Sequence, residues 1–126
     1  MPTDHVLSGK RVLVIEDEYF IASDLKRALT AADAIVVGPA GDLAKGVALA
    51  AEGALDAAVL DVNLAGDRSY PIADRLSEAG VPFLFLTGYD DWALPDAYRA
   101  VPRVTKPLPV QNVIAEIAKL IDGVAA

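Results

Sequence analysis

The chain has 126 residues, 54% of them apolar, which suits one packed core in a single domain. A formal net charge of -7 without a basic stripe disfavours contact with a nucleic-acid phosphate backbone, and zero cysteines exclude disulfides, thiolate catalysis and cysteine metal sites. No apolar run approaches the roughly 20 residues that span a bilayer, and MPTDHVLSGK lacks the layout of a secretory signal, so a cytoplasmic protein away from membranes is expected.

Residues Met1 to Lys10 are polar apart from Val6 and Leu7 and read as a lead-in, with His5 a solvated tail residue. The domain is expected over residues 11–123. Val12–Ile15 is the first short apolar strand, followed by a helical stripe of Ile21, Leu25, Ala28 and Leu29. Ile35–Val37 is the second strand, and Leu43, Val47 and Ala50 mark the helix after it. Ala57–Leu60 comes third, then Ile72, Leu76 and Ala79 at helical spacing. Phe83–Leu86 is the fourth strand, but Pro95 interrupts its helix, leaving a short element over Asp96–Ala100. Val101–Thr105 and the stripe Val110, Val113, Ile114, Ile117 and Ile121 complete the series, and Gly38, Gly53, Gly80 and Gly123 mark expected turns or helix ends.

Strand and helix alternating in this way favour a parallel sheet whose carboxyl ends share one edge. Polar residues stand at those ends: Glu16 and Asp17 after VLVI, Asp61 after AAVL, Thr87 after FLFL, and Lys106 followed by Pro107. Two carboxylates about 5 Å apart repel by roughly 3 kcal/mol at an effective dielectric near 20, so three of them call for a cation. Oxygen ligands without His or Cys select Mg²⁺ or Mn²⁺ over zinc. Asp61 ends a buried strand and precedes a loop, which suits a nucleophile attacking phosphorus in line, with Thr87 and Lys106 placed for two phosphoryl oxygens. Any one of these residues alone reads equally well as a cap or a solvated turn residue; five of the required types together do not.

From VLVIEDE through LDVNL and LTGY to TKP, the chain resembles the receiver domain of two-component response regulators. The resemblance implies a flavodoxin-like, doubly wound (βα)5 α/β fold with a five-stranded parallel sheet in the order 2-1-3-4-5. It implies that Asp61 accepts a phosphoryl group from a histidine kinase or histidine phosphotransfer protein, in a self-catalysed transfer with autodephosphorylation rather than enzyme turnover. Glu16, Asp17 and Asp61 then hold Mg²⁺ together with the Asn63 backbone carbonyl, and the Lys106–Pro107 bond is cis.

Three departures from the family pattern bear on signalling. Arg103 stands three residues before the lysine, where receivers carry the aromatic switch side chain. Phe85 to Tyr89 is similar to the FATGUY subset, which also lacks that aromatic, so Tyr89 is expected to take over part of the switch with Thr87. The loop after Asp61 lacks a proline common in the family, and Glu16 replaces the more frequent aspartate. Output is expected through the face of the fourth helix, fifth strand and fifth helix, to a downstream partner or by self-association, with no output domain after Ala126. Trp92 is the single tryptophan and the natural fluorescence reporter.

Rival readings are weaker. An aspartate-nucleophile phosphatase of the haloacid dehalogenase type needs an acid two residues after the nucleophile, where this chain has Asn63. Nucleotide or flavin binding wants glycines and hydroxyls after the first strand, where EDE repels phosphate. A degenerate receiver scaffold would not need all five site residue types.

Overall fold

The computed structural model describes residues 7–64, 66–88, 94–106 and 109–125. Among the described residues the main sheet and its helices follow in the order β1 (Arg11–Ile15), α1 (Tyr19–Ala31), β2 (Ile35–Ala40), α2 (Leu43–Ala51), β3 (Ala57–Asp61), α3 (Tyr70–Glu78), β4 (Phe83–Thr87), β5 (Arg103–Thr105) and α4 (Val110–Ala125), with a small antiparallel hairpin of Asn63–Leu64 and Asp67–Arg68 between β3 and α3. The strands form one parallel sheet in the order β2-β1-β3-β4-β5, the flavodoxin-like arrangement the resemblance implies. Residues of β3 and β4 are buried throughout, as continuous apolar runs between two helical layers must be.

Side chains alternate between the two faces of the sheet. Val12, Val14, Val59, Leu84 and Leu86 meet Leu25 and Leu29 of α1 and Val113 and Ile117 of α4. Leu13, Ile15, Leu60, Phe83 and Phe85 meet Ile72 and Leu76 of α3 on the other side. Burying each such side chain contributes about 1.5–3 kcal/mol, so the sheet is held from both faces and its carboxyl edge is a rigid platform. Leu7, in the expected lead-in, is fully buried in the first of these clusters.

On the second face the close approach of α2 to α3 depends on Gly46. A Cβ there would lie 2.4 Å from Ile72 Cδ1 and 3.2 Å from Ile15 Cδ1, and both isoleucines are fully buried. Gly46→Val is therefore expected to cost about 2–3 kcal/mol by overpacking, well beyond any gain from leaving glycine out of a helix. A fall in the urea midpoint checks this; an unchanged midpoint would mean that Ile72 moves aside at no cost.

The fourth crossover differs from its neighbours. Among the described residues it carries a single 3₁₀ turn, Asp96–Tyr98, after Pro95. Tyr98 anchors that turn: it is buried, stacks on Tyr70 at 5.9 Å, meets Phe83 and Phe85 edge-on, and donates a hydrogen bond to Asp74. The aromatic cluster packs this turn against α3 and β4. Gly123 lies within the last turn of α4 rather than ending it, and a Cβ there would meet nothing within 4 Å. Among the described residues no helix is long and apolar enough to cross a membrane.

Candidate functional site

Register brings the polar strand ends together. Ile15 lies level with Leu60, so Glu16 falls beside Asp61; Asp61 lies level with Leu86, and Thr87 with Thr105, which places Lys106 one step beyond. The Lys106 backbone N–H donates to the Thr87 carbonyl at 2.7 Å and fixes the root of the lysine. Glu16, Asp61 and Thr87 are all buried at this edge.

The Lys106 ammonium donates to Asp61 Oδ2 at 2.8 Å, Glu18 Oε1 at 2.9 Å and Glu16 Oε2 at 3.1 Å. Its three N–H groups thus meet three carboxylates. One oxygen from each of Glu16, Glu18 and Asp61 lies within 4.8 Å of the others. Asp61 Oδ1 accepts from the Asn63 N–H at 3.1 Å, and Glu16 Oε2 accepts from the Glu18 N–H at 3.0 Å. Glu16 Oε1 is buried and, among the described residues, has no hydrogen-bond partner.

Burial first, and then the charge of Asp61, push the Glu16 carboxyl up to about 8. Burial works to lower the Lys106 pKa, but hydrogen bonds to Asp61 and Glu18 and the charges of Glu16 and Asp61 outweigh it and hold the amine above its ordinary range. The sign for stability follows from proton counting. Between the ordinary glutamate value of 4.5 and about 8 the folded chain keeps a proton on Glu16 that the unfolded chain has released, so this group's contribution falls as pH rises through that window. Lys106 titrates above the window and does not offset the trend. Urea midpoints in EDTA are expected to be lower at pH 8.5 than at pH 6; a midpoint that rises across this interval would contradict the assignment.

The donor set fits a hard dication. It is all oxygen, it gathers three carboxylates around one point, and it leaves a buried Glu16 oxygen that a cation would satisfy.

The structure therefore brings Glu16, Asp61 and Lys106 into contact and puts Thr87 beside them. Asp17 is placed differently: it is exposed, on the wall of an adjoining cavity of about 380 Å³ shared with Glu16, Ser23 and Lys26. Asn63 lies two residues past Asp61 and meets it through its amide. Arg103 is exposed on the edge strand β5, its guanidinium donating to the Arg99 carbonyl at 3.3 Å. Tyr89, Trp92 and Pro107, with the Lys106–Pro107 bond, lie outside the described residues.

Glu18 is the residue that sequence reading missed. Its backbone is extended, with φ -81° and ψ 115°, and residues i and i+2 of extended chain project to one side. Glu16 and Glu18, two residues apart in the run EDE, accordingly both reach Lys106.

Comparison with known proteins bears on the family and the fold. The family model described as response regulator receiver domain matches residues 12–118. The solution structure of SdrG from Sphingomonas melonis Fr1 is 34% identical, with a TM-score of 0.77, covering 94% of this chain and 98% of that one. The BeF3-activated conformation of SdrG, given as from Pseudomonas melonis Fr1, is 35% identical with a TM-score of 0.73, covering 90% of this chain and 98% of that one. The response regulator PhyR from Brucella abortus is 24% identical with a TM-score of 0.80; the match covers 98% of this chain and 52% of that one. No curated protein sequence matches the chain.

Proposed function

This chain belongs to the response regulator receiver domain family, and on that footing we propose that it is a phosphoacceptor of a two-component phosphorelay, phosphorylated on Asp61 in a Mg²⁺-dependent reaction. One observation carries the reading: a buried strand-end carboxylate, Asp61, in contact with Lys106 and within reach of a second buried acid, Glu16. An oxygen of Asp61 attacks phosphorus, the P–N bond of a donor phosphohistidine breaks, and the imidazole leaves with its electron pair and takes a proton. Thr87 and Lys106 take two phosphoryl oxygens, and the Asn63 N–H steadies the attacking carboxylate. Glu16, Asp17, Asp61 and the Asn63 backbone carbonyl would hold Mg²⁺, with Mn²⁺ as a substitute. When bound, the ion neutralises charge on the transferring group.

The donor is a histidine kinase or histidine phosphotransfer protein, and the compartment is the cytoplasm. The chain is not an enzyme that turns over small phosphoesters: Asn63 stands where a phosphatase needs its acid, and its side-chain oxygen accepts from the Gly66 N–H at 3.1 Å. Output passes through the face of β5 and α4, where a groove of about 680 Å³ runs past Arg103, Val104, Asn112 and Lys119, to a partner protein or a second copy. Thr87, Tyr89 and Arg103 take the switch role.

Acetyl phosphate and Mg²⁺ are expected to add the mass of one phosphoryl group, and EDTA to prevent it. Beryllofluoride is expected to shift the amide spectrum as a stable phosphoryl mimic, an approach supported by the BeF3-activated form of SdrG. No mass gain with either acetyl phosphate or phosphoramidate would overturn the reading in favour of a degenerate scaffold.

A further inference from the structure

Glu18 is the residue before α1, yet its side chain makes no capping hydrogen bond to that helix. Glutamate is a poor N-cap in any case, so helix formation does not explain where this carboxylate points. It points at Lys106. Of the three acids on that ammonium, the Glu16 and Asp61 side chains are buried, whereas the Glu18 side chain is 58% exposed. Glu18 is thus the one that stands at the rim, on the solvent side of the buried Glu16 and Asp61.

Resting on the phosphoacceptor reading, we propose that Glu18 is a positioning residue that tethers Lys106 in the resting state and restrains phosphorylation of Asp61. A contact made by the resting form and weakened in the phosphorylated form shifts the equilibrium toward rest by the difference between the two. Lys106 has three N–H donors, and all three are engaged here, so turning toward a phosphoryl oxygen takes one of them from a present partner. The Glu18 charge also repels an incoming phosphoryl group at the rim. Both effects act in one direction.

The test uses Glu18→Gln, which keeps an acceptor oxygen and removes the charge, with Glu52→Gln as a control for net charge. Glu52 is exposed and caps the far end of α2, away from the carboxyl edge of the sheet. In metal-free protein, labelling of each lysine by an amine-reactive ester is read by mass spectrometry. Lys106 labelling relative to exposed Lys45 is expected to rise about two- to fivefold in Glu18→Gln, the range for a partly exposed ion pair, and to stay level in the control. At saturating Mg²⁺ the rate of phosphoryl gain from acetyl phosphate is expected to rise by a similar factor.

Unchanged Lys106 labelling in Glu18→Gln, or a phosphorylation rate equal to or below wild type, overturns the tether while leaving Asp61 as acceptor. A wild-type protein that gains no phosphoryl group overturns the phosphoacceptor reading itself, and the restraint with it.

Discussion

Asp61→Asn is expected to abolish phosphoryl uptake while leaving the fold in place. The amide is nearly isosteric with the carboxylate but lacks the ionised oxygen that attacks phosphorus. Its oxygen still accepts from the Asn63 N–H, whereas an NH₂ facing Lys106 sets donor against donor where a 2.8 Å contact stood. The loss to the fold is limited on two grounds. Lys106 keeps Glu16 and Glu18, and Glu16 loses the neighbour whose charge, after burial, helps to hold its pKa high. Stability should therefore move by no more than about 1 kcal/mol. Intact mass after incubation with acetyl phosphate and Mg²⁺ measures the first effect and urea unfolding the second. Labelling of the variant on the same peptide as wild type would remove Asp61 from the nucleophile role.

The strand ends were legible because β3 and β4 are continuous apolar runs, and a polar residue closing such a run has only the sheet edge to occupy. Register then did the rest: once Ile15 and Leu60 are level, Glu16 and Asp61 have to be neighbours. The division of EDE was harder to read by type alone, since all three residues are acids. The place of Glu18 is set by its contact with Lys106, a residue 88 positions away that the run itself does not announce.

Tyr98 was illegible for another reason. Nothing in PDAYRA distinguishes a buried tyrosine from a solvated one; its burial is created by Tyr70, Phe83 and Phe85, brought from α3 and β4. The short element after Pro95 was visible through that proline, but the aromatic cluster that holds it exists only in three dimensions. Local pattern fixes an element's kind, while a contact among distant residues decides how a departure from the pattern is compensated.

Lys106→Ala carries the largest expected effect on both energetics and signalling. It removes the ammonium on which Glu16, Glu18 and Asp61 converge, leaving carboxylates within 4.8 Å without that counter-charge. Breaking a buried pair from one side costs roughly 3–5 kcal/mol when the remaining charge is trapped. Here the cost should be smaller, about 1–3 kcal/mol in EDTA, because Glu18 is exposed and Glu16 takes up a proton below pH about 8. That escape closes as pH rises, so the variant should lose more stability at pH 9 than at pH 6. Mg²⁺ should then bind the variant more tightly than wild type, since no ammonium competes for Glu16 Oε2 and Asp61 Oδ2, and should restore much of the lost stability. Phosphorylation of Asp61 should still occur more slowly, but without the lysine to report it to Thr87 and β5 the accompanying amide shifts and Trp92 fluorescence change should vanish. Urea midpoints with and without Mg²⁺ test the electrostatic argument. Equal phosphorylation-induced shifts in wild type and variant would show that the change reaches the surface without Lys106.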